Sequence, residues 1–521
     1  MGTVLALSAV GAGTTACTGT AAGAAPAGGR AAATTRSPEA AASALTGSPD
    51  VQSAGVAWKL FTSAPVVVVA DAVRRADVAL AAARAERAHA PVLLLSPAAS
   101  GPRPPGSVLG MAARIGAAGA AGSAVTVSAR VRAEIDALRP RAVLAVGIAA
   151  NVLAAQLPGL RVVTDPDLLP GTTAPVPVHR VALLVHQGDK GAAVTAAVAT
   201  AQVAGAQVIA VRGYDPRTDV ADIAALAGAR PQHVLAVGPG FGSSRRLAAR
   251  VAVAETGVQL PGGGQVLFPA HRLVALYGHP GTPALGALGD QGLPASIARV
   301  RRVAAAYRHL SGVPVIPAFE IIATVAQARP GTDGTYSYES SLASLRPWVR
   351  QATAAGLYVV LDLQPGRASL LGQARRYRTL LALPDVGLAL DPEWKLRPGQ
   401  FPLRQIGSVG IGEVNAVIGW LARLTARHHL PQKLLVLHQF QLSMIRGEQR
   451  LDTRPDNLAI VIHMDGQGSP ADKLQTWAAV TGAAPAGVFF GWKNFYVKDH
   501  PVLDPRQTMA RTPRPVMISY Q

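Results

Sequence analysis

The chain has 521 residues, enough for two to four domains with sizeable cores. Hydrophobic residues make up 49% and charged residues only 15%, which excludes an intrinsically disordered chain. The formal charge of +19 is mostly arginine, spread over both halves without a dense basic run. That distribution argues against nucleic acid as a partner and is compatible with a generic attraction to anionic envelope polymers or lipid headgroups.

Residues 1–16 are apolar and small, and TTAC (14–17) ends them at Cys17, the one cysteine. A single cysteine excludes an intrachain disulfide. The segment resembles a bacterial lipoprotein signal, which implies lipidation at Cys17 and a membrane anchor there. It departs from that pattern by having no Lys or Arg before the apolar stretch and Thr14 where Leu is preferred. A cytoplasmic chain with an incidental cysteine is the alternative. Residues 18–50 are rich in Ala, Gly, Thr, Ser and Pro and read as a flexible tether. No later apolar run reaches the roughly 18 residues of a spanning helix with suitable flanks.

From 51 to 174, strand and helix patterns alternate. PVVVVA (65–70), PVLLLS (91–96), AVTVS (124–128) and AVLAVG (142–147) read as strands. Helices are expected over 76–89, near 108–118 and near 131–138. Fully apolar strands between helices predict a parallel sheet covered on both faces. Ala76, Asp77, Ala79 and Leu80, then 90–95 and 143–147, together resemble the type 2 cell-wall-binding repeat. The resemblance implies a wall polysaccharide as partner but assigns no glycan contact, and the family's Arg-Tyr-Glu-Thr-Ala-like segment is not evident.

A second α/β unit is expected over 175–270, with strands RVALLVHQ (180–187), QVIAVRGYD (207–215) and HVLAVGPGFG (233–242) and helices over 191–204 and 244–254. GPGFG (238–242) reads as a tight turn, because it lacks the G-x-G-x-x-G spacing of a nucleotide site.

Of the 24 Phe, Trp and Tyr residues, 19 lie beyond residue 271. There, eight apolar runs each end in polar residues: 273–279, 313–320, 357–364, 386–394, 433–439, 458–467, 487–494 and 515–521. Amphipathic helices separate most of them. The fold class expected for the whole chain is α/β: two Rossmann/flavodoxin-like parallel-sheet domains, then a C-terminal (β/α)8, TIM-like barrel over 271–521. An imperfect or seven-stranded barrel is the structural alternative.

Such a barrel gathers strand-end residues into one mouth. Period-two alternation puts Asp391 with Glu393, Asp362 with Gln364, and His463 with Asp465 on common sides. The candidate catalytic acids are Glu320, Asp362, Asp391, Glu393 and Asp465. The candidate substrate-binding residues are His279, Gln364, Trp394, His438, Gln439, His463, Gln467, Trp492 and Lys493. Paired carboxylates point to glycosidic hydrolysis, with Glu393 as acid and Asp362 or Asp465 as nucleophile or base. Trp492 would stack on a sugar. No cofactor or metal is required, although His438, His463 and a carboxylate would suit a metal-dependent hydrolase. LDLQPG, LDPEW, HQF, HMDGQG and GWKNFY resemble the C-terminal domain of actinobacterial envelope lipoproteins, which implies a shared pocket and no particular reaction. The sequence therefore predicts an envelope-anchored hydrolase of a wall or extracellular glycan. The alternative is a non-catalytic glycan-binding scaffold.

Overall fold

The computed structural model describes residues 30–97 and 125–521. Cys17 and the expected helix near 108–118 lie outside them. Among the described residues, no helix is long and apolar enough to cross a membrane.

The front half holds two parallel sheets that share one apolar core. In the first, Val66–Asp71 lies between Val92–Pro97 and Ala142–Val146, with all three strands parallel. The expected strand at 124–128 shrinks to Val125–Thr126, which runs antiparallel against Ser96 and Pro97. In the second, Val181–His186 pairs with Gln207–Val211 and His233–Val237. Its fourth strand, Ala42–Leu45, runs parallel to His233–Val237. This corrects the tether expected over 18–50 for its described part, residues 30–50. Ala31 and Ala32 pair with Thr172 and Thr173, and Ala42 and Ser43 are buried. Alanine-rich composition suggested a linker, but small side chains also suit a tightly covered strand. Helices Pro49–Leu60 and Ala192–Val203 contribute to the shared core, where Ala54, Val56, Ala197 and Ala201 meet Val67, Leu183 and Leu235.

The back half is a closed barrel of eight parallel strands. They are β1 (Arg272–Gly278), β2 (Val315–Ala326), β3 (Tyr358–Leu363), β4 (Val386–Leu390), β5 (Lys433–Gln439), β6 (Leu458–Met464), β7 (Phe489–Asn494) and β8 (Met517–Tyr520). Pairing of Leu273 with Met517 and of Leu276 with Tyr520 closes the ring, which removes the seven-stranded alternative. Alternation divides each strand into two faces. Outward residues such as Val274, Phe319, Val359, Leu388 and Leu435 form a core with the surrounding helices. Inward residues such as Ala275, Ile316, Tyr358, Val436 and Met517 fill the barrel, joined by Leu260, Leu267 and Phe268 from the preceding segment.

Side-chain caps start the helices soon after the strand ends. Ser341, Ser369 and Ser469 each accept a hydrogen bond from a first-turn backbone N–H, and Ser469 forms a reciprocal capping box with Asp472. These caps fix the loops at the C-terminal end of the barrel, where the polar residues collect.

Candidate active site

The inward face of the strand ends carries Tyr277, His279, Glu320, Asp362, Gln364, Asp391, His438, His463, Asp465, Lys493 and Ser519. Each lies an even number of residues from an inward core position of its own strand. Four of the five expected acids thus share this face, and the fifth, Glu393, joins them from the turn after β4.

At the bottom of this cluster lie Glu320, Asp362, His438 and His463, all fully buried. His438 Nε2 lies 2.8 Å from Glu320 Oε1, and its Nδ1 lies 3.1 Å from Asp465 Oδ2. The Nε2 contact is a hydrogen bond; the Nδ1 contact is an ion pair off the hydrogen-bond line. Burial alone would lower the His438 pKa. The two carboxylates outweigh it and hold the ring well above its usual value, as an imidazolium. Asp465 responds in the opposite sense. Its burial favours protonation, yet His438 and Lys493 hold its pKa below the ordinary value.

Tyr277 hydroxyl donates to Asp362 Oδ2 at 2.9 Å and accepts from Gln364 Nε2 at 3.2 Å. Burial raises the Asp362 pKa to about 6, against the opposing pull of His438. Lys493 Nζ sits 3.4 Å from the centroid of the Tyr277 ring, a cation–π contact that holds the ammonium over the floor of the mouth. His463 accepts the opposite fate to His438. Burial, with His438 and Lys493 nearby, lowers its pKa well below the usual value and keeps it neutral. Its Nε2 faces Ser519 Oγ at 3.2 Å. Gly491 makes room for this ring: a Cβ there would lie 2.4 Å from His463 Cδ2.

Towards solvent the cluster ends in Asp391, Asp465 and Glu393. Asp391 is 3% exposed and Asp465 7%, while Glu393 is half-buried. An oxygen from each lies within 4.8 Å of the other two. Glu393 reaches the others by a route the alternation did not foresee. β4 ends at Leu390, and Pro392–Trp394 form a 3-10 turn that folds Glu393 back over the mouth. Burial and then the Asp465 charge raise its pKa to about 7. Asp391 is raised well above the normal range by burial and the Asp362 charge.

Several expected binding residues stand elsewhere. Trp492 is fully buried on the outward face of β7, packed edge-on to Trp477 with ring centroids 5.5 Å apart. Its Nε1 donates to Asn494 Oδ1 at 2.8 Å, so it offers no sugar a face. Its strand neighbour Lys493 takes the inward position. Gln439 also points outward and donates to Glu448 Oε2 at 2.8 Å. Gln467 is exposed, three residues past the end of β6. Trp394 is half-buried on the 3-10 turn. His279 lies at the rim, with Nε2 3.2 Å from Ser340 Oγ. The histidine metal set does not form, because both nitrogens of His438 face carboxylates and His463 Nε2 faces Ser519. Tyr277 and Ser519 are inward residues that the sequence reading passed over. Each sits two residues before a polar strand-end residue, His279 or Gln521, so alternation alone would have found them.

No family model matches the chain, and no curated relative matches it. Among solved structures the chain is similar to Cwp6 from Clostridium difficile at 12% identity and a TM-score of 0.19. That match covers 78% of this chain and 63% of the other, so the chain spans less than two thirds of that protein. A likeness of this size carries no functional argument, and the chemistry rests on the barrel mouth itself.

Proposed function

We propose that the barrel mouth hydrolyses a glycosidic bond in a wall or extracellular glycan. The observation that carries this reading is the pairing of Glu393 with Asp465. Their oxygens approach within 4.8 Å, while their surroundings push their proton affinities in opposite directions. Such divergence is what acid and nucleophile roles require of two carboxyl groups. Glu393, protonated up to about pH 7, gives its proton to the leaving oxygen as the glycosidic bond breaks. Asp465, held ionised by His438, attacks the anomeric carbon and forms a glycosyl ester. Glu393, now a carboxylate, takes a proton from water, which attacks that ester and frees Asp465. Close carboxylates of this kind favour retention of configuration over inversion.

Asp362 is better suited to positioning than to attack. It is fully buried and bonded to Tyr277, with His438 Nε2 3.9 Å away. The wall glycan as substrate rests on the repeat-like motifs at 76–80 and 90–95, and anchoring through Cys17 on the signal-like segment that precedes it. Release of reducing sugar from wall polysaccharide tests the reading. Glu393→Gln and Asp465→Asn should each lower it by about 100-fold or more, the scale of a lost general acid or nucleophile. If the unmutated chain retains glycan and releases none, the barrel is a binding scaffold instead.

A further inference from the structure

We propose that the loop over residues 395–408, at the rim of the barrel mouth, docks on an anionic lipid surface, with Val497 and Lys498 of the loop after β7 as a second contact. The first loop follows β4 and its 3-10 turn, so it leaves the barrel at the end where the acids collect. It is fastened at both ends. Leu396 N–H donates to the Gly366 carbonyl at 2.8 Å, Lys395 Nζ to the Ala368 carbonyl at 2.6 Å, and Gly407 N–H to the Glu393 carbonyl at 2.7 Å. Between these fastenings Phe401, Leu403 and Ile406 are exposed, Leu403 to 81%. Leu403 also has a φ of +64°, a left-handed conformation that a bulky side chain rarely adopts. A strained apolar residue standing in water is costly to the fold, and strain of this kind collects at functional surfaces.

The placement of such residues separates the mouth from the rest of the barrel. Apart from Leu474 on a helix, every exposed large apolar side chain of residues 272–521 stands on a segment that follows a strand C-terminus. Tyr338 follows β2, Leu442 follows β5, and Val497, 80% exposed, follows β7. Among the described residues, none stands on the segments that lead into the strands at the opposite end. Charge selects the occupant. The loop carries Arg397 and Arg404, both exposed, and no acid lies between Glu393 and Glu413. The Arg404 guanidinium is 5.6 Å from the Phe401 ring, and Lys498 beside Val497 is exposed as well. Aliphatic side chains flanked by cations match a membrane of anionic lipids, where the cations meet headgroups and the apolar tips enter the acyl boundary. A neutral glycan is a poorer match, because Leu403 and Val497 offer a sugar ring no flat face.

Sedimentation of the full chain with lipid vesicles provides the test, using Cys17→Ser so that this position carries no lipid. Vesicles of phosphatidylglycerol and phosphatidylcholine in equal parts should bind the chain at least about tenfold more tightly than phosphatidylcholine alone, and about 0.5 M salt should weaken that binding. Leu403→Asp combined with Val497→Asp should weaken it at least about tenfold, whereas Val176→Asp, at a comparably exposed position of the front half, should not. Circular dichroism would verify that these surface substitutions leave the fold intact. An environment-sensitive fluorophore attached through Leu403→Cys in the Cys17→Ser chain should shift to the blue on the anionic vesicles. Binding that survives the double substitution, through residues 1–16 or any other face, would overturn the proposal, as would equal binding to phosphatidylcholine alone. A fluorophore shift that follows protein concentration without vesicles would overturn it too, by showing that a second copy covers the loop. A chain that releases no sugar from any glycan would leave these measurements unchanged, so this inference and the glycosidic reading fail separately.

Discussion

At the scale of single residues, the barrel mouth is organised by charge rather than by composition. Five carboxyl groups share the space with one ammonium and one imidazolium, so they do not all ionise together at neutral pH. His438 decides which of them does, because it pairs with Glu320 on one side and Asp465 on the other. Glu393 lies at the edge and keeps its proton to about pH 7. Hydrolysis should therefore fall as pH rises through about 7, since the acid is lost there. The acidic limb belongs to Asp465, whose lowered pKa puts it below the ordinary aspartate range. His438→Gln removes the imidazolium that keeps Asp465 ionised, so the acidic limb should move up by about one pH unit or more. A profile of kcat/KM against pH on the two proteins would show it. An unmoved acidic limb would assign the ionised role to another carboxylate.

At the scale of elements, the sequence made the barrel legible because inward and outward positions carry different residues. Asp362 and His463 could be placed because β3 and β6 continue their alternation into the mouth. The same alternation should have excluded Trp492, since it places Trp492 on the face opposite Lys493. Glu393 could not be placed by period two at all, because Pro392 ends the strand and the 3-10 turn resets the direction. In the front half, Ala42–Leu45 was hidden by its composition, and its partner strand lies nearly 200 residues away, beyond any local signal. Helix Ala129–Leu138 carries another feature that its amphipathic pattern does not announce. Glu134 is 1% exposed on it, and neither carboxylate oxygen has a partner. Burial raises its pKa to about 7, against the weaker pull of Arg130 and Arg36. Folding therefore favours the protonated form. The associated stability is fully present below the unfolded pKa and is lost as pH rises through about 7. Glu134→Gln should leave melting unchanged near pH 5 and raise Tm at pH 8 by roughly 2–4 °C, the effect of a change on the order of 1 kcal/mol in a domain of this size. Scanning calorimetry at both pH values would check it. Equal Tm values at pH 8 would mean that the ionised carboxylate is hydrated in the fold.

At the scale of the whole molecule, the join between the front half and the barrel is a structural part of the barrel. The change in aromatic content suggested a boundary near residue 270, yet Leu260, Leu267 and Phe268 pack among the inward residues of the barrel. Gly262, Gly263 and Gly264 all have positive φ, which lets the chain double back beneath the ring before β1 begins. Gln432 fastens this turn from the other side. Its N–H donates to the Gln265 carbonyl at 2.8 Å, and its Oε1 accepts from Leu267 N–H at 2.9 Å. Beyond the plug, Arg217 and Arg250 of the front half meet Asp456 of the barrel, with Arg250 Nε at 3.0 Å. Asp456 is 35% exposed and returns to water when these arginines are removed, so their loss costs the barrel little, whereas three large apolar side chains lifted out of water contribute about 5–9 kcal/mol. A barrel fragment beginning at residue 271 would therefore lose the plug and open the inward core at its base. One beginning at residue 258 would keep it and sacrifice the ion pairs and the hydrogen bonds that Gln265 donates to the Arg217 and Val253 carbonyls. The longer fragment should unfold cooperatively with a Tm well above that of the shorter one, which should be aggregated or only partly folded. Fragments of equal stability would show that the inward residues of the eight strands seal the base unaided, and that the polar mouth needs nothing beneath it to hold Asp391, Glu393 and Asp465 in place.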